Sequence, residues 1–213
     1  MDAHNSSWPV ARGAALLAAG TRLLAGAQAR WLGCRPELRQ RIYFPNHTSH
    51  LDFVVLWGAL PPELRGLTRP VAARDYWGTG KLRRYLATQV FNAVLLERQN
   101  LDDIGRRQQV DLLLEALGER HSLILFPEGT RGTGREIAPF KSGLYHLALK
   151  RPDVELVPVY LENLHRILPK GALLPVPLLG SVTFGSPIRI RPGEDKDAFL
   201  ERAREAVRAL KPA

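Results

Sequence analysis

The amino-acid sequence predicts an α/β fold: a single domain with a mainly parallel central sheet flanked by helices, preceded by an N-terminal amphipathic helix. Two observations lead to this prediction. Short apolar runs alternate along the chain with longer stretches of helical periodicity, which is typical of a layered α/β protein. In addition, 213 residues with 45% hydrophobic content suffice for one sizeable core, so one folded domain is expected.

The N-terminal segment, residues 1–33, is predicted to form an amphipathic helix that associates with a membrane. On a helical wheel, apolar residues gather on one side and arginines on the other. The apolar residues are Leu16, Leu17, Leu23, Leu24 and Trp31, and the arginines are Arg12, Arg22 and Arg30. This pattern is typical of a helix lying in a membrane interface, but a surface helix docked on the protein's own core has the same pattern. No transmembrane span is expected, because a span needs about 20 nearly uncharged residues.

Residues 34–213 are predicted to form the main domain. Buried strands are expected at residues 41–44, 70–74, 93–97, 122–126 and 155–161, with helices between them at 51–60, 76–89, 102–119 and 141–150. This alternation of strand and helix is the pattern of parallel βα units. Beyond residue 161, the sequence predicts a hairpin-like β pair over residues 181–190 and a closing helix over residues 195–210.

Three polar clusters each follow a predicted strand. PNHTSHLD follows the first strand, RQN follows the third, and PEGTRGTGR follows the fourth. The carboxyl ends of parallel strands meet at one edge of a sheet, and α/β proteins bind ligands at that edge. The three clusters therefore predict an active site there.

The spacing of His47 and Asp52 in the first cluster predicts an acid–base pair. Residues five apart point in different directions on a straight helix and to opposite faces of a strand. The two side chains can meet only if the chain turns between them, and Pro45 and Asn46 supply residues that end the strand. A carboxylate in the first turn of the next helix can then hold one imidazole nitrogen and leave the other as a base.

Two other interpretations of the first cluster compete with this dyad. His47, His50 and Asp52 are ligand types that suit zinc or iron. The remaining histidines form no second cluster and there is no cysteine pair, so no metal is expected. A purely structural polar turn would explain the short polar residues of the cluster but would not explain His47.

The third cluster predicts a phosphate-binding loop. Its glycines allow positive φ angles, so successive N–H groups can point into one concavity. Arg131 adds a planar guanidinium group suited to phosphate, whereas Glu128 is expected to fix an arginine or to accept from a substrate hydroxyl. Lys141 begins the next predicted helix, whose positive end attracts anions. Arg98 lies at the same edge, although a surface ion pair is the simpler interpretation of that residue alone.

Charge and cysteine content limit the partners and the compartment. Thirty basic residues against 21 acidic residues give a net charge of +9. An anionic partner is therefore expected: nucleic acid, a phospholipid surface, an acidic carrier protein or a phosphorylated substrate. Cys34 is the single cysteine, which excludes an intrachain disulfide and fits a reducing compartment.

Four segments of the chain resemble, in order, the signature blocks of the glycerolipid acyltransferase family, whose best-known members acylate lysophosphatidic acid. They are NHTSHLD (46–52), VLLER (94–98), FPEGTR (126–131) and VPV (157–159); the first and third are the specific ones. The resemblance implies that His47 is a general base for a glycerol hydroxyl and that Asp52 orients it. It also implies a set of residues that hold the phosphate of the acceptor. These are Arg98, Glu128, Gly129, Thr130 and Arg131.

The function implied by the resemblance is O-acyl transfer to the free hydroxyl of a lysophospholipid, above all the conversion of lysophosphatidic acid to phosphatidic acid. Acyl-coenzyme A or acyl carrier protein would be the co-substrate, with no other cofactor and no nucleic acid as partner. The enzyme would lie on the cytoplasmic face of an anionic membrane, peripherally or in the interface. Two alternatives are a metal-dependent hydrolase built on His47, His50 and Asp52, and a non-catalytic basic module that binds lipid.

Overall fold

The structure, a computed structural model, describes residues 28–49, 52–97, 102–132, 134, 136–162 and 181–212. Seven strands lie within these residues. They are β1 (Gln28–Trp31), β2 (Arg41–Pro45), β3 (Thr68–Ala73), β4 (Val94–Leu96), β5 (Ser122–Ile124), β6 (Glu155–Leu161) and β7 (Ser181–Phe184). They form one sheet in the order β1-β7-β6-β2-β5-β3-β4.

The strands from β2 to β6 are all parallel, and β7 runs antiparallel to β6. Strand β1 is the edge strand beside β7 and runs parallel to it. We call the edge at which β2 to β6 end the carboxyl edge, and the opposite edge the amino edge. Because β1 and β7 run the other way, both begin at the carboxyl edge.

Helices connect these strands. They are α1 (Asp52–Ala59), α2 (Pro62–Arg65), α3 (Arg74–Trp77), α4 (Lys81–Tyr85), α5 (Asp103–Leu117), α6 (Gly143–Lys150) and α7 (Lys196–Arg208), and a π-helical turn, Leu86–Val90, continues α4. The mainly parallel sheet flanked by helices that the sequence predicts is confirmed.

Strand β2 lies at the centre of this arrangement, and all five of its residues are buried. Its side chains alternate between the two faces of the sheet, as the pleat of a strand requires. Tyr43 packs in the cluster that contains α1, whereas Ile42 and Phe44 pack in the cluster that contains residues of α5, α6 and α7. Burial on both faces fixes the end of β2, and the loop that follows it, in the middle of the carboxyl edge.

The predicted N-terminal helix is wrong at its carboxyl end, because residues 28–31 form β1. Trp31, which the helical wheel places among the membrane-facing residues, instead stacks on Phe184 of β7 with ring centroids 3.8 Å apart. The partner of β1 lies about 150 residues later in the chain, and local periodicity cannot reveal such a distant pairing. Residues 1–27, the rest of the predicted helix, lie outside the described residues.

Two other predicted elements differ from the structure. The helix expected over 76–89 is broken between α3 and α4, where Gly80 has a φ of +79°. The hairpin-like pair expected over 181–190 is absent, because β7 pairs with β6 and β1 and Ile188 bridges Leu156 instead. In the described part of the chain, no helix combines the length and the apolar character needed to cross a bilayer.

Candidate active site

The first and third polar clusters lie side by side at the carboxyl edge, because β2 and β5 are parallel neighbours. Asn46 fixes the start of the loop that follows β2. Its Nδ2 donates to the carbonyl oxygen of Leu161 at 3.1 Å, and its Oδ1 accepts from the Leu161 N–H at 2.7 Å. This pair of hydrogen bonds ties the end of β2 to the end of β6 and so sets the direction in which His47 leaves the sheet.

His47 and Asp52 form a buried hydrogen-bonded pair. His47 Nδ1 lies 2.9 Å from Asp52 Oδ2, and the two side chains are 9% and 0% exposed. The hydrogen-bond network assigns the proton to Nδ1, because a carboxylate oxygen can only accept. In a neutral imidazole this assignment leaves a lone pair on Nε2, which has no hydrogen-bond partner within the described residues.

Asp52 Oδ2 also accepts two backbone hydrogen bonds. The N–H groups of Thr48 and Ser49 donate to it at 2.6 and 2.8 Å. The bond to Ser49 joins residues three apart, as in the backward half of a helix capping box. One carboxylate oxygen therefore fixes the turn of the chain and the orientation of the imidazole together. The other oxygen, Oδ1, is buried and has no hydrogen-bond partner among the residues that the structure describes.

This geometry favours the dyad over the metal interpretation. The two candidate ligands His47 and Asp52 are bonded to each other, and the Asp52 oxygen that faces His47 already accepts three N–H groups. Within the described ranges, no group of three or more histidine, cysteine, aspartate or glutamate side chains is arranged to hold a metal ion. His50, the third ligand of that interpretation, lies outside those ranges.

Glu128 locks the third cluster against the first. Its Oε1 accepts from the backbone N–H of His47 at 2.7 Å, and its Oε2 accepts from the N–H of Ala138 at 2.9 Å. The Gly132 N–H in turn donates to the His47 carbonyl oxygen at 2.8 Å. Glu128 is 3% exposed, and burial raises the pKa of its carboxyl group, with the two backbone donors acting in the opposite direction. These contacts hold the backbone of His47 in place. Glu128 also lines a cavity beside the dyad, so the direct substrate contact expected from the sequence stays a prediction.

The same loop and the residues after it present two cations, Arg131 and Lys141. Gly129 has a φ of +69°, and a Cβ at this position would lie 2.8 Å from Lys141 Cε and 3.0 Å from Lys141 Nζ. The side chain of Lys141 therefore crosses directly over the backbone of Gly129, two residues before Arg131. Thr130, Arg131 and Lys141 are exposed. Neither Arg131 nor Lys141 has an ion-pair partner among the described residues.

A cavity of about 360 Å³ opens beside the dyad. Its lining includes His47, Thr48 and Tyr160, and the carboxyl-terminal end of the chain adds Arg208 and Lys211. Sequence reasoning missed these last two cations, because no motif surrounds them and only the return of α7 to the carboxyl edge brings them near His47. Arg208 is also paired with Glu205.

The ring of Phe126, the residue directly before the third cluster, lies 4.2 Å from the His47 ring, centroid to centroid. It covers one side of the imidazole with an apolar surface. Arg98, the remaining candidate for binding phosphate, lies outside the described residues. Its neighbour Glu97 lies directly after β4, at the carboxyl edge, and the position of Arg98 itself stays a prediction.

Comparisons with known proteins agree with this architecture. A protein-family model described as Acyltransferase matches residues 34–162. The chain is 28% identical over 137 residues to 1-acyl-sn-glycerol-3-phosphate acyltransferase of Haemophilus influenzae, a match that covers 61% of this chain and 50% of that protein. It is 30% identical over 141 residues to 1-acyl-sn-glycerol-3-phosphate acyltransferase alpha of Homo sapiens, a match that covers 62% of this chain and 47% of that protein. The chain spans about half the length of the curated relatives it matches.

The fold is also similar to a solved structure. The crystal structure of the 1-acyl-sn-glycerophosphate acyltransferase from Thermotoga maritima superposes with a TM-score of 0.69. The match covers 94% of this chain and 78% of that chain at 18% sequence identity. At this level of identity the similarity concerns the fold, and it supports the order and direction of the strands that carry the dyad.

Proposed function

The chain belongs to the acyltransferase family, and we propose that it transfers a fatty acyl chain from a thioester donor to the free hydroxyl of a lysophospholipid. Lysophosphatidic acid is the proposed acceptor and phosphatidic acid the product. The observation that carries the proposal is the buried His47–Asp52 pair, held beside a cavity. The His47 carbonyl oxygen accepts from the N–H of Gly132, the residue directly after Arg131. The relatives that match the chain are named for this reaction.

In the proposed mechanism, His47 acts through Nε2. The acceptor hydroxyl oxygen attacks the thioester carbonyl carbon while Nε2 takes the hydroxyl proton. The C–S bond of the tetrahedral intermediate then breaks, and the departing sulfur receives that proton from the imidazolium. An ester and a free thiol result, and no acyl-enzyme forms. General base catalysis of this kind typically contributes about 10² to 10⁴ in rate.

Asp52 has two tasks in this mechanism. It holds the proton on Nδ1, so that Nε2 is the basic nitrogen, and its negative charge stabilises the imidazolium that forms during the attack. The two backbone donors that fix Asp52 Oδ2 prevent the carboxylate from turning away. The imidazole is thus oriented before substrate arrives, which removes part of the entropic barrier.

The phosphate of the acceptor is proposed to bind to Arg131 and Lys141, with the Gly129–Thr130 backbone and Arg98 in support. An arginine fork matches two phosphate oxygens, and a lysine adds a point charge. Lysophosphatidic acid carries its phosphate on the carbon next to the one that bears the reacting hydroxyl, so a phosphate site close to the dyad would present that hydroxyl to His47. Acyl-coenzyme A and acyl carrier protein are both anionic, and either suits a chain with a net charge of +9.

A transfer assay with product identification tests the proposal. Purified protein, lysophosphatidic acid and labelled acyl-coenzyme A or acyl carrier protein should yield phosphatidic acid, identified by mass. Substituting His47→Ala should lower kcat by about 10² to 10⁴, whereas His146→Ala, which removes an exposed histidine of α6, should leave kcat unchanged. Release of free fatty acid without phosphatidic acid would point to the hydrolase alternative.

The acceptor site has its own test. Substituting Arg131→Ala should raise KM for lysophosphatidic acid by about one to two decades, since a charge-assisted hydrogen bond contributes roughly 1.5–3 kcal/mol. Arg131→Lys should rescue little, because an ammonium group cannot reproduce the fork. A rise in KM for the acyl donor alone would assign the loop to the donor instead.

A further inference from the structure

A second basic surface lies on α4, away from the dyad. Helix α4 and the residues around it form a stretch from Tyr76 to Leu96 that contains no acidic residue. We define the α4 patch as Lys81, Leu82, Arg84 and Tyr85. On a helix these four residues cover about 160° of the circumference, while Arg83 points the other way, with its guanidinium over the Tyr76 ring at 4.7 Å.

The α4 patch combines exposed apolar surface with positive charge. Leu82 is 71% exposed and Tyr85 is 49% exposed. Neither Lys81 nor Arg84 has an acidic partner within the part of the chain that the structure describes. Aromatic and aliphatic side chains flanked by lysine and arginine are typical of proteins that insert shallowly into an anionic membrane surface.

Two other exposed leucines, Leu38 and Leu149, lack this combination. Leu38, 69% exposed, lies before β2 at the amino edge, and its neighbour Arg39 is paired with Glu37 at 2.8 Å. Leu149, 48% exposed, lies beside Lys150, which is paired with Asp111 at 3.0 Å. An ion pair already satisfies the cation next to each of these leucines. Charge complementarity therefore favours the α4 patch over these two sites as the surface for an anionic partner.

The residues that flank the α4 patch pack next to the active site. The helices α3 and α4 follow the end of β3, so they lie at the carboxyl edge with His47. Trp77 of α3 packs on Phe53 with ring centroids 4.8 Å apart, and Phe53 packs on Phe91 at 5.1 Å. Phe53 is the residue directly after Asp52. A surface that holds the α4 patch thus also fixes the orientation of the dyad.

We propose that the α4 patch docks on the surface of an anionic phospholipid bilayer and turns the carboxyl edge of the sheet toward it. Leu82 and Tyr85 enter the interface, and Lys81 and Arg84 contact the lipid phosphates. This docking rests on the proposed function for its purpose alone: a lysophospholipid acceptor and its acylated product both reside in a bilayer. Docking would bring the dyad to the depth of the lipid head groups, so that the acceptor need not leave the membrane completely.

A fluorescent label placed at single positions tests this docking locally. In a Cys34→Ser background, Leu82→Cys carries an environment-sensitive dye, and Leu38→Cys, of nearly equal exposure at the opposite edge, carries the same dye as a control. Vesicles of phosphatidylcholine with phosphatidylglycerol should shift the emission at position 82 to the blue, and lipids spin-labelled near the head group should quench it. The label at position 38 should show neither effect. Adding Lys81→Glu and Arg84→Glu should remove most of the shift at position 82.

The outcomes separate docking from catalysis. The same labels in a His47→Ala background should give the same shifts, so a failure of the acyl-transfer proposal leaves this result intact. Equal responses at positions 82 and 38, or no response at 82, would overturn the proposed docking. A response at 82 to acyl carrier protein without vesicles, and none to vesicles, would also overturn it and assign the α4 patch to a protein partner.

Discussion

At the scale of single residues, Glu128 shows how one buried carboxylate can hold the backbone of two other segments in place. Substituting Glu128→Gln keeps one oxygen acceptor but turns an N–H₂ group toward a backbone N–H that has lost its partner. A buried donor without a partner costs about 1–3 kcal/mol. We expect a lower melting temperature and a lower kcat, with KM for lysophosphatidic acid nearly unchanged, because His47 is displaced while Arg131 is not. A large rise in that KM would instead assign Glu128 to the acceptor site.

The pH dependence of stability gives a second readout on Glu128. Burial raises the pKa of this carboxyl group above its usual value, so the folded protein holds the proton more tightly than the unfolded chain does. Stability contributed by the protonated group is fully present below the unfolded pKa and is lost as the pH rises through the folded pKa. The free energy of unfolding of the wild-type protein should therefore fall relative to that of Glu128→Gln as the pH rises through that range. Chemical denaturation at several pH values measures this difference.

Single residues also show how far sequence reasoning reaches. The contact between His47 and Asp52 could be predicted because both residues lie in one short segment, where spacing and turn residues restrict the geometry. The contacts of Glu128 could not be predicted, because both of its donors are backbone N–H groups, and one of them, the N–H of His47, lies 81 residues away in the chain. Arg208 and Lys211 were missed for the same reason: only the return of the last helix brings them to the cavity.

At the scale of the element, the turn after β5 gives a matched pair of glycine substitutions. Gly129 and Gly193 have φ angles of +69° and +73°. Substituting alanine costs about 1–2 kcal/mol at a left-handed position, so both variants should lose similar stability. A Cβ at Gly129 would displace the side chain of Lys141, whereas a Cβ at Gly193 meets nothing within 4 Å. Only Gly129→Ala should therefore raise KM for lysophosphatidic acid. Equal KM values for both variants would show that Lys141 does not contact the acceptor.

Elements with local signals could be predicted and elements with distant partners could not. Strand β6 and helix α7 have strong local patterns, and both lie where the sequence predicts them. Strand β1 is not evident from its own residues, because Gln, Ala and Arg favour helices and four alternating polar and apolar side chains are too short a run to outweigh that preference. It becomes a strand because Phe184, far along the chain, offers an aromatic surface to Trp31 and a free edge to its backbone.

At the scale of the whole molecule, the position of β1 moves the start of the folded sheet from residue 34, where the sequence predicts the domain to begin, to Gln28. Strand β1 covers the outer side of β7. The Leu32 N–H donates to the carbonyl oxygen of Phe184 at 2.9 Å, and Phe184 and Val182 are fully buried. The chain upstream of Gln28 joins the sheet at the carboxyl edge, on the same edge as the α4 patch and the dyad.

Two truncations separate the contribution of β1 to stability from the contribution to membrane binding that is predicted for residues 1–27. Removing residues 1–27 leaves every described contact of β1 in place, so the melting temperature should stay close to that of the full chain. Removing residues 1–33 takes away β1 and the stack on Phe184, and should cost on the order of 2–3 kcal/mol, since a large apolar side chain gains about that much from burial. The variant without residues 1–27 should bind anionic vesicles more weakly than the full chain. It should not lose binding completely, because the α4 patch remains. Equal stability of the two truncated variants would contradict the stabilising contribution of β1. Complete loss of vesicle binding without residues 1–27 would mean that the α4 patch cannot hold the protein at a membrane by itself.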